Sequence, residues 1–224
     1  MDYRCGMSDP SSSLLAERQA PAPVQFYFDF SSPYSYIASE WVDAVAARHG
    51  RRVQWHAVLL GALFRTTGLK PLVEYPVKRE YSLRDIERSA CFAGVPFKLP
   101  PVFPIATQNA ARVFWWLAAS DHARAVAWAR ACLRAYFARG IAIDSPAALR
   151  GLAEECGLDV AAAEAAWADP VWKDRLREVN ELALAAGVFG APYFVVDGEP
   201  FWGNDRQAQI ESWLANGPPK GLSS

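Results

Sequence analysis

Ser31-Ser32-Pro33 closes the aromatic run Val24-Gln-Phe-Tyr-Phe-Asp-Phe30 and opens a stretch with apolar residues at helical spacing. A serine at such a strand-to-helix junction caps the helix with its hydroxyl, and proline suits the first helical position. The free N–H groups and partial positive charge of the helix start point to the same spot. A hydroxyl there therefore stabilises an anion such as a thiolate. The dipole alone contributes about 0.3 to 1 kcal/mol. A free thiol titrates near about 8.5, and each unit of lowering needs roughly 1.4 kcal/mol, so a directed hydroxyl hydrogen bond plus the dipole makes thiolate the major form near neutrality. Taken alone, Ser32 is an ordinary helix cap, and spacing does not separate it from Ser31.

Near the other end, Phe201-Trp-Gly-Asn-Asp-Arg206 carries a second group of polar residues at a helix start. Backbone N–H groups there suit a carboxylate, Asp205 suits an ammonium group, and Arg206 can pair with a carboxylate or with Asp205. On its own this segment is a turn and helix cap with a solvated arginine. The four cysteines, Cys5, Cys91, Cys132 and Cys156, form no Cys-x-x-Cys pair, and with three histidines in the chain no metal site is expected. Cys91, Cys132 and Cys156 lie in apolar helical contexts, where a buried, inert thiol is expected.

The elements that position these groups follow from pattern. The 224 residues are 52% hydrophobic, enough for one large domain or two closely packed ones. The net charge of −1 comes from acidic and basic residues scattered along the chain, so neither nucleic acid nor a membrane surface is expected as a partner. No apolar run has the length of a signal peptide or a membrane span, which points to a cytoplasmic protein. The nine Trp, eight Tyr and twelve Phe suit a flat or aromatic substrate where they line a site, and core packing elsewhere.

Residues 1–23 read as a disordered extension. Val24 to Phe30 is apolar on both faces, as a central strand requires. Tyr34 to His49 is helical and ends at Gly50, and Arg52 to Leu59 supplies a second, parallel strand. Residues 61–187 carry helical periodicity cut by breakers at Pro96–Pro104, Asp121, Gly140, Gly157 and Asp169-Pro170, with Asp144 or Ser145 and Asp169 as helix starts. Ala191 to Val196, the turn Asp197-Gly198, and Glu199 to Trp202 form a hairpin, followed by a helix from about Asn204. The order is that of an α/β, thioredoxin-like fold: residues 24–60 and 188–218 form the thioredoxin-like part, and 61–187 a large inserted helical subdomain.

The run Phe28-Asp-Phe-Ser-Ser-Pro-Tyr-Ser-Tyr-Ile-Ala38 resembles the active-site opening of 2-hydroxychromene-2-carboxylate isomerases and kappa-class glutathione transferases, which have a DsbA-like thioredoxin fold. By this resemblance the catalytic serine is the one before proline, Ser32. Ser32 and Ser35 then stand where DsbA-like proteins carry the redox Cys-x-x-Cys, and without those thiols dithiol exchange is excluded. Gly187-Val-Phe-Gly-Ala-Pro192 resembles the loop before a cis-proline, implying that Ala191 pairs through its main chain with glutathione as a short β-ladder. Trp202, Gly203, Asn204, Asp205 and Arg206 match the motif that binds the γ-glutamyl end. Pro76-Val-Lys-Arg-Glu-Tyr81 resembles the segment that places a lysine, here Lys78, at a glutathione or substrate carboxylate. The chain departs from the pattern at Gly68-Leu-Lys-Pro71, where many relatives have Asn in place of Leu69. The resemblance covers about residues 24 to 215.

What the resemblance implies is a glutathione-dependent cis–trans isomerase acting on a small aromatic carboxylate, with glutathione as cofactor and Ser32 as activator of its thiol. A kappa-class transferase or peroxidase, which consumes glutathione, is the first alternative, and a non-catalytic thioredoxin-like binding module the second. The oligomeric state is not legible in the residues, with a homodimer left open.

Overall fold

The computed structural model describes residues 21–221. Most of the extension expected over residues 1–23 and the position Cys5 lie outside that range. Strand β1 (Val24–Phe28) is followed by helix α1 (Pro33–Arg48) and strand β2 (Val53–Ala57). The helical block holds α2 (Leu60–Thr67), α3 (Pro76–Phe92), α4 (Gln108–Ala118), α5 (His122–Phe137), α6 (Pro146–Glu155), α7 (Val160–Ala168) and α8 (Pro170–Ala185). Strands β3 (Tyr193–Val196) and β4 (Glu199–Trp202), a 3-10 turn at Asn204–Arg206 and helix α9 (Gln207–Asn216) complete it. The sheet order is β2-β1-β3-β4, with β1 parallel to β2 and antiparallel to β3.

Local sequence accounts for these boundaries. Asp121, Ser145, Asp159 and Asp169 each accept a backbone N–H at the start of α5, α6, α7 and α8, as side chains with a short oxygen arm do at a helix start. Asp197 (φ 53°) and Gly198 (φ 90°) both take positive φ, which matches the twist of the β3–β4 hairpin. Strand β1 stops at Phe28, two residues before the expected end, because Asp29 leaves the ladder to serve the following turn.

One continuous core joins sheet and helices. Phe26 meets Trp55 edge-on at 4.8 Å and stacks on Phe194 at 5.1 Å, while Phe28 meets Phe114 of α4 at 5.4 Å. Trp41 of α1 covers Phe194 from the same side at 5.3 Å. The outer edge of β2, which would otherwise offer unpaired backbone to another chain, is closed by the helical block. The Trp55 N–H donates to His122 Nε2 at 3.3 Å, and Trp115 Nε1 donates to the Ala57 carbonyl at 3.0 Å. Among the described residues no helix is long and apolar enough to cross a membrane.

The cysteines divide. Cys132 is buried as expected and Cys156 half-buried, and burial pushes both thiols up. Cys91 corrects the expectation, because it is exposed. The buried stripe of α3 runs through Ser82, Ile86 and Ala90, and Cys91 lies about 100° around the helix from it.

On the opposite face of the sheet, His56 stacks on Tyr27 at 4.6 Å, and its Nε2 sits 2.7 Å from Gln25 Oε1. Burial, assisted by nearby His122 and Arg175, pushes its pKa down to about 4. A histidine that stays neutral in the fold but protonates near about 6.5 in the unfolded chain favours unfolding as pH falls from about 6.5 towards about 4. Urea unfolding at pH 7.5 and pH 5 should show about 2 kcal/mol less stability at the lower pH on account of this group. The loss should shrink by that amount in His56→Gln. An equal loss in the variant would show that His56 is not the source.

Candidate active site

Ser32 caps α1 in extended conformation (φ −95°, ψ 113°), and its Oγ accepts the Ser35 N–H at 3.1 Å. The same hydroxyl donates to the Ala191 carbonyl at 3.0 Å, joining positions 159 residues apart. Ser32 is only 4% exposed. Ser31 points elsewhere: both its N–H (2.7 Å) and its hydroxyl (3.0 Å) go to Asp29 Oδ1. The two adjacent serines, alike on spacing, thus face different partners. Ser35, fully buried, accepts the Asp29 N–H at 3.4 Å.

Ala191–Pro192 is a cis peptide bond. The carbonyl of Ala191 takes the Ser32 hydroxyl, and its N–H has no partner among the described residues. Beside it, Trp202 is 52% exposed and lies edge-on to Phe189 at 5.0 Å. Gly190 has to be glycine here, since an added Cβ would stand 2.6 Å from Trp202 Nε1. The Gly203 N–H donates to the Pro192 carbonyl at 3.0 Å, and Gly203 sits at φ 110°, where a Cβ would strike the Asp205 carboxylate. Trp41 of α1 holds Asn204 Oδ1 at 2.8 Å, and Arg206 pairs with Asp205. The structure therefore joins Ser32 to Ala191 and Gly203 to the adjoining Pro192, while Asn204 is held to α1 through Trp41.

Lys78 is not part of these links. It is exposed in the first turn of α3 with Nζ 5.3 Å from the centre of the Tyr75 ring, and it shares no hydrogen bond or ion pair with the Ser32 group among the described residues. Helix α3 is nevertheless tied to the start of α1, where the Tyr34 hydroxyl donates to Asp85 Oδ2 at 2.6 Å and Arg88 pairs with the same carboxylate. Burial and Asp85 hold the Tyr34 phenol well above its usual pKa, so it remains a donor. Leu69 follows the left-handed Gly68 (φ 72°) at the end of α2 and is 42% exposed.

Sequence reading left one residue of the site without a role. Asp29 is 2% exposed, and its Oδ1 takes Ser31 twice and the Thr107 hydroxyl at 3.1 Å, while Oδ2 takes the Leu60 N–H at 2.5 Å. Burial pushes its carboxyl up, against the pull of those four hydrogen bonds. The available signal was an acid between two phenylalanines at the end of a buried strand, a place where a charge is kept only if several donors meet it.

Comparison with known proteins agrees with this fold. Residues 23–215 match the DSBA-like thioredoxin domain. A 2-hydroxychromene-2-carboxylate isomerase from Sphingobium xenophagum is 32% identical over 193 residues, covering 85% of this chain and 97% of that protein. Glutathione S-transferase kappa 2 from Caenorhabditis elegans is 26% identical, covering 88% and 93%. A solved 2-hydroxychromene-2-carboxylate isomerase structure superposes with a TM-score of 0.78 at 28% identity, over 87% of this chain and 95% of that one. The chain belongs to the DsbA-like thioredoxin family that holds the 2-hydroxychromene-2-carboxylate isomerases and the kappa-class glutathione transferases.

Proposed function

We propose that the chain is a glutathione-dependent cis–trans isomerase of an aromatic chromene or α-keto carboxylate. The observation that carries this reading is the Ser32–Ala191 hydrogen bond at the start of α1. A hydroxyl donor, a helix N-terminus and a peptide edge with an unpaired N–H meet there, with serine at both positions where a dithiol would stand. This donor set fits a thiol-bearing peptide. When bound, glutathione supplies a thiolate that adds reversibly to a double bond conjugated to a carbonyl, which frees rotation about it.

The protein's part is to hold and activate that thiol. Ser32 Oγ is fixed by the Ser35 N–H and turns its proton from Ala191 to the sulfur. Lowering a thiol from about 8.5 to neutrality takes roughly 2 kcal/mol. A hydrogen bond to a charged group gives about 1.5 to 3 kcal/mol and the helix start about 0.3 to 1, so the two suffice. The C=O and N–H of Ala191 pair with the cysteinyl unit, and Gly203, Asn204, Asp205 and Arg206 receive the γ-glutamyl end, with Trp202 beside them. Lys78, swung off the Tyr75 ring, meets the substrate carboxylate. Reduced glutathione as cofactor also fits the cytoplasmic location expected from the sequence.

The relationship to kappa-class transferases favours a second reading, in which the same thiolate is transferred and glutathione is consumed. Incubation with 2-hydroxychromene-2-carboxylate, followed by ultraviolet absorbance, should show isomerisation only when glutathione is present, with total free thiol constant. Loss of one thiol per turnover would replace the isomerase with the transferase. Ser32→Ala should lower kcat roughly 100-fold, the scale of losing one oriented donor to a developing anion. Unchanged turnover in that variant would remove Ser32 from the chemical step, and no turnover in the parent would leave a binding module as the better description. Lys78→Met should raise the substrate KM about tenfold and leave kcat unchanged, as removal of a uniform binding contact does. A fall in kcat with constant KM would place Lys78 in the chemical step instead.

A further inference from the structure

We infer that Asp29 is a positioning residue that pins the Ser31–Ser32 turn to the helices on the substrate side of the site. This inference rests on the thiol-activating role proposed for Ser32. Three separate elements meet at one buried carboxyl: Ser31 from the turn, Leu60 from the start of α2 and Thr107 from the start of α4. The Ser31 bonds are local and act beside the Ser32 N–H to Asp29 carbonyl bond at 3.0 Å, whereas the Leu60 and Thr107 bonds reach across the fold. Helix α2 begins after Leu59 with no side-chain cap of its own, and Asp29, from the end of β1, accepts the N–H of its first residue. Helix α4 likewise has no side-chain cap, because Thr107, standing in the cap position, directs its hydroxyl to Asp29. A carboxylate at the start of α2 is also favoured by the helix dipole.

The consequence is geometric. Ser31 is held on both its N–H and its hydroxyl, which leaves Ser32 as the residue that turns toward Ala191. The same carboxyl thus ties the thiol-activating turn to the starts of α2 and α4. Asp29 is 2% exposed and already accepts four hydrogen bonds, three on Oδ1 and one on Oδ2, so it is shut away from a substrate. It acts through Ser32. A displacement of about 1 Å between reacting groups costs on the order of 100-fold in rate, which sets the scale for losing this pin.

Asp29→Asn keeps the shape and the Oδ1 acceptor but sets an amide N–H against the Leu60 N–H. The expected result is a 10- to 100-fold lower kcat, glutathione Kd within about twofold of the parent by calorimetry, and a crystal structure in which Ser32 Oγ lies beyond hydrogen-bond reach of the Ala191 carbonyl. Thr107→Val, which removes one of the four bonds, should lower kcat a few-fold with the same unchanged Kd, and decides the matter if the asparagine variant does not fold. A folded Asp29→Asn protein that keeps kcat within twofold, or keeps the Ser32–Ala191 contact, overturns the inference. So does a loss of glutathione affinity that matches the loss of kcat. If the parent protein shows no glutathione-dependent activity, the proposed function is what fails, and the Ser32–Ala191 distance in the variant still decides the positioning role.

Discussion

The pairing register between β1 and β3 governs everything at the site. Tyr27 stands opposite Tyr193, so the chain leaving β1 at Asp29 passes the chain entering β3 at Ala191. A slip of two residues along the strand would carry Ala191 about 7 Å away from Ser32, and a slip of one would turn the aromatic core outward. The stack of Phe26 on Phe194 at 5.1 Å, under Trp41, makes either slip costly, because each would expose rings that are now fully buried. The same aromatic packing that holds the sheet together thus fixes the distance between two groups far apart in sequence.

Features set by near neighbours in the chain were legible in the sequence. The caps at Ser32, Ser145 and Asp169, the Asp197-Gly198 hairpin and the parallel β1–α1–β2 unit all depend on spacings of a few residues, and spacing is what a sequence displays. What escaped depends on long-range contact. The closure of the β2 edge by His122 and Trp115, the exposure of Cys91 and the anchoring of α3 through Tyr34 and Asp85 each join segments that no local pattern links. At the site, motifs named the residues but not their partners. Ser31 and Ser32 look alike until one is seen facing Asp29 and the other Ala191.

A buried carboxyl close to a site proposed to hold a thiolate is an electrostatic contradiction, since each negative charge disfavours the other. The arrangement round Asp29 resolves it by supplying two backbone N–H groups and two hydroxyls to that carboxyl, which spread its charge over the turn and the helix starts. Donors spent there are unavailable to the thiolate. In the proposed function the burden of a bound thiolate would fall on the Ser32 hydroxyl and the start of α1, so that each anion would have its own donors.

The two serines at the positions where a dithiol would stand face different partners. Ser35 is fully buried, with its hydroxyl turned to the Asp29 N–H, so it belongs to the frame that shapes the turn. Its backbone N–H meanwhile fixes Ser32 Oγ, whose proton faces the cis-proline loop. A resolving thiol at position 35 would have to be reachable from a sulfur at position 32; a hydroxyl held from behind needs no such access. In the proposed function the helix start is then free to polarise a thiol brought in by a ligand.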